Sequence, residues 1–155
     1  DKMKKIFIVF FLNFFLISCG YKVVDKSGQR NFYITETINS GDSRINFKIK
    51  NKLLFNNPEN QEKILSLNIN SNKKKDIHEK NEKNEITKYK IDVTIKVKFT
   101  EIIDQISGEF VVSATKILNV QNQQFGTLNR ERRLIDLICD DLAEKILDEI
   151  SIRIK

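Results

Sequence analysis

The sequence predicts an α+β fold in two layers: a mostly antiparallel four-stranded sheet with two helices packed on one face. Four segments alternate apolar and polar residues, the period of half-buried strands. Two other segments place apolar residues three or four positions apart, which is typical of amphipathic helices. The order is strand, helix, three strands and a long helix, so we expect both helices to cover the same face of the sheet. Residues 32–155 are long enough for a single domain of this kind.

Residues 1–18 have the pattern of a secretory signal peptide. Lys4 and Lys5 precede the apolar run Ile6–Ile17. That run is about a dozen residues long and is interrupted by Asn13, whereas a membrane-spanning helix needs about twenty apolar residues. The sequence Leu16-Ile17-Ser18-Cys19 has the form of a bacterial lipobox. We therefore expect cleavage before a lipidated Cys19, although a plain signal peptide with an incidental cysteine remains an alternative.

Residues 19–31 are expected to be the lipidated cysteine and a short polar tether. Several acyl chains on one terminus anchor a protein to a bilayer almost permanently. Gly20 follows Cys19, a pattern that permits transfer to the outer membrane under the enterobacterial sorting rule. The prediction is a lipid-anchored outer-membrane protein.

The domain is predicted to begin with a strand and a short helix. Phe32, Ile34 and Ile38 alternate with polar residues and indicate the first strand. After a turn, Asp42 or Ser43 is suited to cap a helix. A helical stripe follows at Ile45, Ile49 and Leu53 and ends before Asn56-Asn57-Pro58. The same segment also alternates through Phe47, so the sequence leaves open whether Ile45–Leu54 is a helix or a strand.

Three further strands are predicted. Leu65, Leu67 and Ile69 indicate the second, and the polar stretch Asn72–Glu85 is expected to be a long, mobile hairpin tip. Every odd position from Tyr89 to Phe99 is apolar or aromatic, which gives the next strand one core face and one wet face. After a turn near Asp104–Ser107, Phe110–Val120 alternates again, and these two strands should form a hairpin.

The last segment, Asn129–Lys155, changes to a helical period. The residues predicted to line its apolar face are Leu134, Leu137, Ile138, Leu142, Ile146 and Ile150. Cys139 borders this face and is expected to be a small core residue.

The composition argues against an enzyme, a cofactor or a metal site. The chain has one histidine and two cysteines, and with Cys19 acylated no intrachain disulfide is available. A lone His78 in a polar stretch and one free cysteine are too few for the usual zinc ligand set. The formal net charge of +6 is mild, and an exported protein is not expected to bind nucleic acid.

Several segments resemble the LPS-assembly lipoprotein family (LptE). The lipobox runs directly into Cys19-Gly20-Tyr21, the elements follow a β-α-β-β-β-α order, and Arg44–Leu54 and Leu137–Ile146 look like the first and last helices of that family. Cys19 is the only residue of this sequence that can be matched individually to a functional residue of the family. The resemblance implies a plug inside an LptD-like outer-membrane β-barrel, the LPS translocon, that faces the periplasm and the barrel lumen and helps deliver lipopolysaccharide to the cell surface.

The face of the sheet that the helices leave uncovered is the candidate contact surface. It is expected to carry Lys88, Lys90, Lys96 and Lys98, which are suited to the phosphates of lipopolysaccharide or to the polar lumen of a barrel. A merely solvated face, with its lysines diluted by acidic residues, is the alternative. For the whole protein the alternative is a periplasm-facing regulatory or structural lipoprotein, such as an activator of a peptidoglycan synthase.

Overall fold

The computed structural model describes residues 31–55 and 61–154. Our predictions for the signal peptide, Cys19 and the tether up to residue 30 lie outside the described residues. The elements are β1 (Phe32–Gly41), α1 (Ser43–Phe55), β2 (Lys63–Lys80), β3 (Ile86–Glu101), β4 (Ser107–Asn119) and α2 (Gln124–Arg153). This order confirms the sequence prediction.

The sheet has the strand order β1-β2-β3-β4. β1 and β2 are parallel, whereas the β2–β3 and β3–β4 pairs are antiparallel. The parallel pair needs a crossover connection, and α1 supplies it. The predicted mostly antiparallel four-stranded sheet in an α+β fold is therefore confirmed.

The two helices lie side by side, parallel to each other, on one face of the sheet. Lys48 of α1 forms an ion pair with Asp136 of α2, and one turn further along Lys52 Nζ lies 3.0 Å from an Asp140 carboxylate oxygen. Beneath them lies one apolar core, formed by the inward-facing residues of all four strands and both helices. The opposite face of the sheet is covered by no element of the described ranges, and we call it the open face.

The segment that the sequence left undecided is a helix, α1. Asp42 caps it, because one Asp42 carboxylate oxygen accepts the backbone N–H groups of Arg44 and Ile45, each at 3.1 Å. Ile45, Ile49 and Leu53 are all fully buried against the sheet. Because all three residues of this stripe are buried at helical spacing, the segment is a helix and not a strand.

The prediction of a mobile hairpin tip over Asn72–Glu85 is wrong for most of this stretch. β2 continues to Lys80 and pairs with β3 as far as Ile86, so that only residues 81–85 form the turn. The Asn81 side chain closes this turn by accepting the backbone N–H groups of Lys83 and Glu85. Neither of the two helices in the described part of the chain covers the hairpin beyond Ile77, so the strands need no apolar side there and their sequence resembles that of a loop.

The final helix differs from its prediction in two details. It begins at Gln124, five residues before Asn129. Leu137, predicted to be in the apolar face, is 57 % exposed, whereas Ile135 is buried. These two residues lie about 200° apart around a helix axis, so only one of them can face the sheet.

Candidate functional site: the open face of the sheet

Strand pairing settles which side chains share the open face. Residues directly opposite each other in neighbouring strands point to the same side. The register places Asn68, Lys98 and Glu109 in one row, and Asn70, Lys96 and Val111 in the next. The side chains of these rows therefore present one continuous surface.

The four predicted lysines all lie on this side of β3, and each has a carboxylate close by. The Nζ–carboxylate distances are 2.6 Å for Lys88–Glu79, 3.0 Å for Lys90–Asp92, 3.3 Å for Lys96–Glu109 and 3.8 Å for Lys98–Glu109. A fifth lysine of the face, Lys74, lies 2.8 Å from Asp76. The structure thus brings the lysines together, but among carboxylates that compensate their charge.

Two of these carboxylates, Asp92 and Glu79, are held in their ionised form. A hydrogen bond from the Thr115 hydroxyl and another from Lys90 lower the pKa of Asp92. Hydrogen bonds from Lys88 and Thr87 likewise lower the pKa of Glu79. Asp92 and Glu79 therefore stay charged at neutral pH. Together with the carboxylates beside Lys74, Lys96 and Lys98, they give the open face alternating charges rather than a cationic patch.

Uncharged side chains fill the space between these pairs. Polar amides and hydroxyls dominate the centre, and three exposed apolar residues, Ile38, Val111 and Ile117, are dispersed among them. A surface of this mixed kind suits contact with a polar protein wall better than contact with hydrocarbon.

Cys139 lies on the other side of the sheet, in the core. It is 1 % exposed, and burial raises the pKa of its thiol to about 11. A thiol of this kind stays protonated and unreactive at neutral pH. The prediction of a small core residue is confirmed.

Sequence reasoning missed the role of Glu101. This residue continues the odd-numbered alternation of β3 and is fully buried. Its carboxylate accepts the backbone N–H groups of Ile64, Ile103 and Asp104. Burial alone would raise the pKa of Glu101, but these hydrogen bonds, with Lys63 nearby, lower it overall. Its place in the alternating pattern was the signal that it faces inward.

Sequence reasoning also missed a groove on the outer surface of the helix pair. Phe47 and Phe55 line it with Asn51, and Cys139 lies at its floor. The volume of the groove is about 450 Å³. Phe47 was noted only as part of an alternating pattern, and its exposure follows from its place on the side of α1 away from the sheet.

Two general features of the described ranges bear on the chemistry. No three His, Cys, Asp or Glu side chains of these residues come together as a metal-ligand cluster. Neither helix of these ranges combines the length and the apolar character that a bilayer crossing requires.

Comparison with solved structures identifies proteins of the same fold. Rare lipoprotein B from Shewanella oneidensis matches with a TM-score of 0.55 at 7 % identity, over 75 % of this chain and 93 % of that one. A lipoprotein B from Nitrosomonas europaea matches with a TM-score of 0.52 at 15 % identity, over 86 % and 91 % of the two chains. A minor lipoprotein from Acinetobacter baumannii gives 0.53 at 15 % identity, over 79 % and 94 %.

These likenesses establish a shared fold. No protein-family model matches the sequence, and no curated protein matches it significantly. The chain spans nearly the whole length of the solved lipoproteins, so the fold is shared as a complete domain and not as a fragment.

Proposed function

We propose that this chain is an outer-membrane lipoprotein, acylated at Cys19, that plugs an LptD-like β-barrel and assists delivery of lipopolysaccharide to the cell surface. The observation that carries the proposal is a sheet whose second face is polar and is covered by no element of residues 31–55 and 61–154, in a fold shared with solved bacterial lipoproteins. The lipobox at residues 16–19 and the resemblance to the LptE family support the same assignment.

The open face is the surface that we propose to contact the barrel. The lumen of an outer-membrane barrel is polar. Because the charges of the open face are paired, its lysines and carboxylates can form ion pairs with the barrel wall instead, without burying an excess of one charge. Lys96 and Lys98 share Glu109, which makes a protein wall a better partner for them than lipopolysaccharide phosphates. The role requires binding and no catalytic step.

Co-purification tests the proposal. The full chain with a C-terminal tag is extracted from outer membranes in mild detergent and captured, and its companions are identified. A heat-modifiable β-barrel in about one-to-one amount is expected. A cell-wall enzyme in its place would instead support the regulatory alternative and remove the plug function.

Two matched variants locate the contact. Val111→Lys changes an exposed residue of the open face, and Phe47→Lys changes an exposed residue on the outer surface of the helices. Circular dichroism verifies that both fold. We expect V111K to reduce recovery of the barrel and F47K to leave it unchanged; the reverse result would move the contact to the helices.

A further inference from the structure

The turn between β3 and β4 is unusually apolar. Ile102, Ile103 and Ile106 are 52 %, 63 % and 41 % exposed. Turns of this kind are normally built from polar residues, glycine and proline. We call these three residues the isoleucine tip.

Hydrogen bonds with Glu101 and with the start of β2 hold the isoleucine tip in place. The buried Glu101 carboxylate accepts N–H groups from Ile103 and Asp104, while the Ile102 N–H donates to the Ile64 carbonyl at 2.8 Å. The Glu101 N–H also donates to the Ile106 carbonyl at 2.7 Å. Glu101 fills the inward position at the strand end, so the isoleucines cannot turn into the core and protrude instead.

The tip lies at the end of the sheet where the described chain begins. β1 and β2 start here, and β3 ends here, because it is antiparallel to β2. Helix α2 also finishes here, where the Ile154 carbonyl accepts a hydrogen bond from the Lys63 ammonium. The turn at residues 81–85 is at the opposite end of the hairpin.

The length of chain before β1 decides which end faces a membrane. Only eleven residues lie between Cys19 and Asn31, which gives a reach of at most about 40 Å when the chain is fully extended. An anchor at Cys19 therefore holds the end bearing the isoleucine tip toward the bilayer. The far turn is removed from it by the length of β2, 18 residues, or about 60 Å.

We propose that the isoleucine tip inserts into the boundary between headgroups and acyl chains of the bilayer that carries the anchor. The inference rests on the proposed acylation of Cys19. The turn at residues 102–106 that carries the tip contains no basic residue and one acid, Asp104, so the membrane contact of the tip is apolar and does not require anionic lipid. Together the anchor and the tip fix the orientation of the sheet relative to the membrane.

A single-tryptophan experiment tests the insertion. The chain has no tryptophan, so Ile103→Trp provides a sole reporter at the tip. Glu82→Trp places the same reporter in the exposed turn at the opposite end. Each full-length lipidated variant is reconstituted into phosphatidylcholine vesicles, with and without brominated acyl chains, after circular dichroism has verified its fold.

In I103W we expect tryptophan emission at shorter wavelength and strong quenching by brominated lipid, with neither change in E82W. Equal quenching in both variants, or none in either, would overturn the inference. A blue shift in I103W without quenching by brominated lipid would also overturn it, since a protein surface would then cover the tip.

Flotation of the vesicles separates this inference from the proposed lipidation. A chain that floats while the tryptophan of I103W stays unquenched refutes the tip and leaves the anchor standing. A chain that behaves like its Cys19→Ser variant and fails to float refutes the anchor, and the tip inference with it.

Discussion

At the scale of single residues, Glu101 is a buried carboxylate whose stability depends on its hydrogen-bond partners. A buried carboxylate is stable only when its oxygens are hydrogen-bonded, and three backbone N–H groups meet that need. The residue therefore joins the start of β2 to the β3–β4 turn. Its odd-numbered position in β3 is consistent with an inward side chain, but only the fold shows that it is buried and which groups it contacts.

Glu101→Gln should change the pH dependence of stability. The pKa of Glu101 in the folded chain lies below its ordinary value of 4.5. Its stabilising contribution is therefore complete above that pH and is lost as the pH falls through the lower folded pKa. Urea unfolding of the wild type and E101Q from about pH 6 to pH 2.5 should show a stability difference that shrinks with acidity. A constant difference would mean that the charge of Glu101 contributes nothing.

Gly41→Ala should destabilise the junction between β1 and α1. Gly41 has φ of +90°, and an added Cβ would lie 2.0 Å from the Ser71 carbonyl oxygen. The backbone conformation alone costs about 1–3 kcal/mol for a residue other than glycine. Thermal unfolding measures the loss. Gly126→Ala, in the first turn of α2 beside the exposed Gln121, is the control and should be close to neutral; an equal loss in both would refute the local explanation.

At the scale of elements, the packing of α2 distinguishes leucines that the sequence pattern treats alike. Leu142 is fully buried, while Leu137 is largely exposed. Leu142→Ala should lower the free energy of unfolding by about 2–5 kcal/mol. Leu137→Ala should change it by less than about 0.5 kcal/mol. Chemical denaturation of both variants checks this, and similar losses would show that the buried face of α2 is misassigned.

The outer part of the long β2–β3 hairpin is stabilised by backbone pairing between its strands and not by an apolar core. Lys75 is held by Glu131 at 2.6 Å and lies 4.3 Å from the centre of the Tyr89 ring. Between this ion pair and the turn, the side chains of the hairpin bury little surface. The strands nevertheless stay paired because each satisfies the backbone groups of the other.

Shortening the hairpin evenly should be tolerated. Replacing Lys80–Thr87 by Asn-Gly joins the paired residues Glu79 and Lys88 through a favoured two-residue turn. We expect a change in unfolding free energy below about 1 kcal/mol. Deleting Lys74–Lys83 removes one strand only, leaves its partner unpaired and should destabilise the fold clearly more. Thermal melting of both variants gives the comparison, and equal melting temperatures would contradict the paired hairpin.

At the scale of the whole molecule, charge compensation decides the character of the open face. A row of lysines read from one strand suggests a cationic surface, but the neighbouring strands supply Glu79 and Glu109. Such exposed pairs contribute little to stability. Their effect is to limit the attraction of the open face for anions.

Glu109→Gln should therefore expose the charges of Lys96 and Lys98. We expect its affinity for lipopolysaccharide to rise about two- to fivefold, the scale of an exposed ion pair worth up to about 1 kcal/mol, and the gain to disappear at high salt. Glu149→Gln makes the same change of net charge on α2, where Glu149 pairs with Arg153, and should have no such effect. Binding titrations at low and high ionic strength measure both, and an equal gain would indicate net charge and not the open face.

The inward residues of β3 and the helical period of the last segment were determined by the sequence itself, because burial on one side imposes a period that can be read directly. The tertiary structure alone decided four other features: the helical conformation of Ile45–Leu54, the strand character of Asn72–Lys80, the exposure of Leu137, and the pairing of Lys88, Lys96 and Lys98 with Glu79 and Glu109. Each depends on residues distant in sequence. A polar strand is stabilised by the strand beside it, a helix face by the layer beneath it, and a surface charge by carboxylates that only the sheet register brings near.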